Sequence, residues 1–259
     1  MVDFVAYSGL SDAGWTDMKN EDYVKTDDLN LGDDLFFAAI GDGTGSKKDS
    51  FDPAGIAIEQ TDTVLKRYFQ KDKALLKNHA RTILEMAVMS ANDTLVAFRL
   101  GDESNRSGYA AAMTCALVTR DGLLVGAHAG NTRLYLLRDQ NTIQLTKDHT
   151  RAQRMVDRGE MDPGRYYRSI EKLDLYNGVG ISPEPEIQTF QISLKKSDIV
   201  LMTSDGVHYS CPDDQFLSLI IESKNLDDAV RKIVDTSKEL KLMNDNMSAI
   251  LFMYTGTTK

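Results

Sequence analysis

The sequence predicts an α+β fold in which antiparallel strands form two sheets packed together, with helices in pairs outside them. Three observations lead there. Short apolar runs return along the chain with turn residues between them, and the joining turns are too short to hold crossover helices. The longer helical patterns fall in a block after Pro53 and a block towards the C-terminus.

Taken in order, Phe4–Ser8 reads as a strand and Tyr23–Lys25 as a second, short one. Leu35–Ile40 (LFFAAI) is an almost unbroken apolar run, the mark of a strand covered on both faces, and it enters Gly41-Asp42-Gly43, read as a tight loop. Pro53 opens a helix carrying Ile56, Ile58, Val64, Leu65, Tyr68 and Phe69, and Ala74–Leu100 continues as a second long helix. Ala111–Thr119, Leu123–His128, Arg133–Leu137 and Thr142–Leu145 follow as strands. Asp121-Gly122 is a strong hairpin signal, and the three hairpin-like steps in a row predict an antiparallel meander. Asp148–Gly159 reads as a helix stopped by glycine. Asp162–Pro185 holds three of the five prolines and no clear period, and reads as a flap. Ile187–Leu194 and Ile199–Thr203 are strands around a turn at Lys195–Asp198. Asp213–Ile221 and Leu226–Leu240 are helices, and Ala249–Tyr254 is a closing strand. With no internal repeat and no low-complexity stretch, residues 1–259 are expected to form a single domain with a variable flap at 160–185.

Composition narrows the function. Hydrophobic residues make up 42% and charged residues 27%, a globular balance. The net charge of −9 and the lack of any Lys/Arg run exclude a nucleic-acid partner held by bulk charge. No stretch approaches the roughly 18 apolar residues of a membrane span, and the N-terminus lacks the basic and apolar regions of a signal peptide. Cys115 and Cys211 sit in or beside apolar runs without metal spacing, so both are expected to be reduced, structural thiols in a cytoplasmic protein.

Four short acidic segments stand out: Asn20-Glu21-Asp22, Gly41-Asp42-Gly43, Ser204-Asp205-Gly206 and Asn244-Asp245-Asn246. Each alone is an ordinary turn. As a set they differ, because neighbouring strands would bring the acids to one point. Two like charges about 4 Å apart repel by about 4 kcal/mol at an effective dielectric of about 20, so such a cluster exists where cations fill it. All-oxygen ligation points to Mg²⁺ or Mn²⁺, and no His/Cys spacing points to zinc.

The same segments carry a family resemblance. Ser11-Asp12-Ala13-Gly14 through Asn20-Glu21-Asp22, then Phe37–Gly45, then Ala129–Leu136 with Gln144–Thr150, then Leu201–Gly206 and Asp245–Ser248 resemble, in order, the motif series of the type-2C metal-dependent protein Ser/Thr phosphatases of bacterial kind. The match runs from about Ser8 to Tyr254. It implies a four-layer α-β-β-α sandwich of two antiparallel sheets with a binuclear site at one end. It makes Asp42 the bridging metal ligand with the Gly43 carbonyl beside it. Asp205 and Asp245 would hold one cation, Glu21 would serve the other, and Asp22 would orient the waters they bind. Asp42, Asp205 and Asp245 would act in catalysis through a water shared by the two cations. The implied activity is hydrolysis of phosphoserine and phosphothreonine in a phosphorylated protein, opposing a Ser/Thr kinase.

Two departures qualify that expectation. The family's phosphate-binding Arg falls at Asp17, where an acid repels phosphate, with Lys19, Lys47 and Lys48 the cations nearby. The family's Gly-Asp-Ser-Arg hairpin reads Gly130-Asn131-Thr132-Arg133, so an amide replaces the Asp of a third cation site, which is expected to be weak. The alternative readings are a catalytically weak relative that binds phosphoproteins or regulates a partner, and another two-metal hydrolase such as a nuclease, disfavoured by the acidic balance. His149 is expected to be structural or capping and His128 packed, with Trp15 in the core or at the rim; for His208, which follows the Asp205 loop, a place near the site is the lesser of two readings.

Overall fold

The computed structural model describes residues 4–15, 19–27, 34–44, 51–102 and 109–256. Its strands are β1 (Val5–Asp12), β2 (Asp22–Asp27), β3 (Leu35–Gly43), β4 (Ala111–Thr119), β5 (Leu123–Ala129), β6 (Arg133–Arg138), β7 (Asn141–Gln144), β8 (Gln188–Ser193), β9 (Ile199–Thr203) and β10 (Met247–Tyr254). They form two five-stranded sheets, β1-β10-β9-β6-β7 and β2-β3-β4-β5-β8, paired antiparallel throughout. The helices are α1 (Pro53–Lys71), α2 (Lys73–Gly101), α3 (Arg151–Asp157), α4 (Asp205–His208), α5 (Asp213–Ile221) and α6 (Leu226–Leu240). None is long and apolar enough to cross a membrane among the described residues.

Strand periodicity explains the layers. In β3, Phe36, Ala38 and Ile40 point between the sheets and meet Leu134, Met202, Ile250 and Phe252. Leu35, Phe37 and Ala39 point the other way, against Leu65, Phe69 and Leu84 of α1 and α2. Both faces of this strand are covered, which is why its sequence shows no polar alternation. The other sheet mirrors the arrangement: Tyr135, Leu201 and Leu251 pack on Phe216 of α5 and on Val230, Ile233 and Val234 of α6. The four-layer expectation holds. Removing one fully buried ring such as Phe36 or Phe216 would cost about 3–5 kcal/mol.

Several boundaries differ from the sequence reading. The four middle strands are not one meander. β4 and β5 pair in one sheet and β6 and β7 in the other, so the chain changes sheets at Gly130–Thr132. Gly130 makes that corner possible: its φ is +120°, and an added Cβ would lie 2.4 Å from the Ala112 methyl. The turn between β8 and β9 changes sheets in the same way. Gly41-Asp42-Gly43 is not a loop but the end of β3, held there by pairing with β2 on one side and β4 on the other. The helix expected over Asp148–Gly159 starts only at Arg151, because Thr150 is its N-cap, accepting from the Gln153 N–H. α4 was not expected at all, and α2 is kinked at His79. The flap contains two 3-10 turns, Pro163–Arg168 and Ile170–Leu173.

Candidate functional site

Four of the five expected acids converge where the ends of the two sheets meet. Asp22 opens β2 and lies directly across from Asp42 in β3, which puts both side chains on one face. Asp205 starts α4 just after β9, and Asp245 stands two residues before β10. The close approach of these last two segments depends on Gly206, where a Cβ would lie 2.1 Å from the Asn246 carbonyl oxygen.

The carboxyls bear on one another. Burial pushes Asp42 well above the usual carboxylate range, and the charges of Asp205, Asp22 and Asp245 push it further. Burial first, then Asp205 and Asp245, raise Asp22 to about 7 against the hydrogen bonds of Ser204 and Ser248, which pull it down. Asp205 is raised to about 7 by burial and by Asp245, and Asp245 is raised by burial. Burial and like charge favour the protonated forms of these acids, and a cation is what would replace those protons.

Hydrogen bonds fix the frame. Ser204 Oγ donates to Asp22 Oδ2 at 2.7 Å and accepts from the Ser248 N–H at 3.0 Å. Asn246 Oδ1 accepts from the Glu21 N–H at 2.9 Å, while its amide donates to the Ala13 carbonyl. The Glu21 carbonyl in turn accepts from the Gly43 N–H at 3.1 Å. Glu21 and Gly43 thus enter the site through their backbones. Asn131 Nδ2 donates to Asp205 Oδ2 at 2.9 Å. The amide nitrogen therefore faces the carboxylate.

Does this donor set fit divalent cations? Asp205 Oδ1 and Asn131 Oδ1 are buried without a hydrogen-bond partner among the described residues. Another carboxyl, that of Asp42, bears directly on Asp205. Oxygen donors with surplus negative charge and an unmatched lone pair suit Mg²⁺ or Mn²⁺. As placed, no three His, Cys, Asp or Glu side chains among the described residues form a finished ion-holding group. The acids meet as mutually repelling neighbours, and it is that repulsion which the cations would relieve.

The remaining candidates sort cleanly. Asp17, Lys47 and Lys48 lie outside the described residues. Lys19 Nζ donates to the Phe51 carbonyl. His149 is structural but does not cap: its Nδ1 accepts from the Gly130 N–H at 3.2 Å and contacts the Asn177 amide at 2.7 Å, bracing the corner before Asn131. His128 is buried against Thr114, the Lys147 carbonyl and the His149 ring, and burial lowers its pKa to about 3. Trp15 is a rim residue, half exposed, with its indole donating to the Lys238 carbonyl. Both cysteines are buried free thiols, raised to about 12 by burial. Sequence reasoning gave no role to Ser204, Ser248 or Asn246; their only signal was adjacency to the acids.

A sequence profile of the family described as Protein phosphatase 2C matches residues 16–251. The chain is 23% identical over 188 residues to the Serine/threonine phosphatase stp of Listeria monocytogenes, covering 72% of each chain. Its fold resembles that of the Serine/threonine phosphatase Stp1 of Staphylococcus aureus, with a TM-score of 0.82 at 20% identity over 99% of this chain and 97% of that one. It also resembles the catalytic domain of the phosphatase PstP in complex with two manganese ions, with a TM-score of 0.71 at 22% identity over 96% and 97% of the two chains.

Proposed function

This chain belongs to the protein phosphatase 2C family, and from that premise we propose that it hydrolyses phosphoserine and phosphothreonine esters in proteins, with two divalent cations, Mn²⁺ or Mg²⁺, held by its carboxylates. The observation that carries this reading is the convergence of Asp22, Asp42, Asp205 and Asp245, each raised in pKa by burial and most of them by one another.

Asp42 would bridge the pair, Asp205 and Asp245 would hold one cation, and Glu21 with the Gly43 carbonyl would serve the other. When bound, the cations supply a more acidic water and offset the charge of the phosphoryl oxygens. The protein's own contribution is rigidity and proton control. Asp42 stands on a strand paired on both sides, which fixes its backbone. Asp22 is steered by Ser204, whose hydroxyl is itself fixed by the Ser248 amide. Asn131 donates to Asp205, which opposes the rise in its pKa and fixes its orientation. No side chain needs to act as nucleophile. The whole chain works as one catalytic unit with the flap at its edge, in the cytoplasm, against a Ser/Thr kinase.

The test is hydrolysis of para-nitrophenyl phosphate and of a phosphothreonine peptide with Mn²⁺, with Mg²⁺ and with chelator. Metal-dependent turnover of the peptide is the expected result. A protein that binds Mn²⁺ yet turns over neither substrate would instead be the phosphoprotein-binding or regulatory relative.

A further inference from the structure

Beside the carboxylates, between the flap's 3-10 turns and the α4–α5 segment, lies a cavity of about 590 Å³. A roomier one, about 690 Å³, lies beside Phe98 and Tyr109; none of the four acids lines either cavity, but Asp205 acts on Lys172 and Tyr209 of the smaller one. The smaller cavity is lined by Lys172 and Tyr167 of the flap, by His208, Tyr209 and Ser210, and by Asp213 and Asp214. His208 is three residues beyond Asp205, about 5 Å of helix rise, so the cavity opens within one turn of the site.

Two features of its lining ask for a ligand. His208 Nε2 and Ser210 Oγ are buried and have no hydrogen-bond partner among the described residues, although both side chains are 1% exposed. Such groups cost stability unless something meets them. His208 Nδ1 lies 2.9 Å from Thr203 Oγ1; with that hydroxyl donating, Nε2 carries the hydrogen and is a donor. Lys172 is half buried, with its ammonium 4.6 Å over the Tyr209 ring and one hydrogen bond to the Tyr167 carbonyl. An ammonium has three donors, and Lys172 makes no ion pair among the described residues. Asp205 attracts its charge and Arg133 repels it, while burial lowers its pKa most. Of the two acids in the lining, Asp213 is already met by the Tyr135 and Tyr167 hydroxyls and by Arg133, and Asp214 stands at the exposed rim.

We propose that this cavity is a substrate subsite that takes an acidic side chain of the peptide flanking the phosphorylated residue, with Lys172 as its specificity-determining cation and Ser210 and His208 as supporting donors. The three unspent donors match a carboxylate, which offers about four acceptor positions. The buried Tyr209 ring under the Lys172 ammonium lowers the local polarity and strengthens the contact. This rests on the phosphatase reading, because only a peptide substrate brings such a side chain to this spot.

The experiment measures binding separately from hydrolysis. Two threonine peptides, alike except for glutamates or alanines beside the threonine, are titrated unphosphorylated into the protein by calorimetry. The glutamate peptide is expected to bind about tenfold more tightly, the scale of one charge-assisted contact. Lys172→Gln should bring that ratio near one, Lys172→Arg should restore it, and Ser210→Ala should lower it about threefold. Equal affinities in the unsubstituted protein, or a ratio that survives Lys172→Gln, would overturn the subsite. Metal-dependent hydrolysis of the phosphorylated versions judges the phosphatase reading on its own.

Discussion

Two buried aspartates a short way apart behave in opposite ways. Asp205 is 6% exposed and Asp148 is 1% exposed, so burial penalises both charges. Asp205 has other acids for neighbours and is raised to about 7. Burial would raise Asp148 too, but the charge and hydrogen bonds of Arg133 hold it down to about 2. Arg133 donates to Asp148 through Nε at 2.9 Å and Nη2 at 2.7 Å, and the Tyr166 and Tyr209 hydroxyls donate to the same carboxylate. The Tyr167 hydroxyl accepts from Arg133 Nη1, which ties the flap to the same ion pair. Burial sets the size of the problem, and the partner decides its sign. The charge of Asp148 is matched within the protein; that of Asp205 is not, and a cation would match it.

The comparison is sharpest in activity. Asp42→Asn should lower metal-dependent kcat by about a thousandfold, since Asp42 would bridge both cations, while the chelated protein melts no lower and even somewhat higher because a like charge is gone. Full activity in this variant would sink the mechanism.

Arg133→Met probes the other region. It strands Asp148 in the interior without its cation and should cost about 3–5 kcal/mol, a fall of roughly 10 °C in Tm, whether or not Mn²⁺ is present. A melt that changes only with metal would mean that the ion pair belongs to the functional site after all.

Next in size is the response to pH. Asp22 and Asp205 are raised in the fold, so the stability they contribute is fully present below the unfolded value near pH 4 and is lost as pH rises through about 7. Chelated protein should therefore lose Tm between pH 5 and about pH 7.5, and Mn²⁺ should restore it, with metal affinity rising across the same window. Asp148 runs the opposite way: its contribution holds above about pH 4 and is lost as pH falls towards 2. Thermal melts with and without chelator read both limbs, and a chelated melt that rises towards neutral pH would contradict the acid cluster.

The smallest change is Asn131→Asp. It replaces the amide donor on Asp205 with another charge, so the chelated protein should lose about 1 kcal/mol while millimolar Mn²⁺ more than restores it. Calorimetric Mn²⁺ titration should then show an added weak site. No added site would mean that geometry, and not the amide, closes that position.

Much of this was legible in the chain. Period-two and helical patterns placed nearly every strand and helix, because both faces of the sheets are covered and the apolar runs advertise it. Asp42, Asp205, Asp22 and Asp245 were legible as a set through their adjacency to strand ends. Less legible were the sheet changes at Gly130–Thr132 and before β9, since a turn that stays in its sheet and a turn that leaves it use the same residue types. The start of α3 at Arg151 and the short α4 were hidden for a similar reason: caps and single turns are settled by local hydrogen bonds that pattern does not record.

The sequence by itself determined the layer plan, the acidic residues and the oxygen chemistry they favour, because hydrophobic periodicity and ligand type are properties of residues in order. Tertiary structure decided which acids meet, that Asn131 turns its nitrogen to Asp205, that Arg133 neutralises Asp148, and that Lys172, His208 and Ser210 share a cavity. Each of these joins residues far apart along the chain, and the energy of a charge or a donor depends on what folding places beside it.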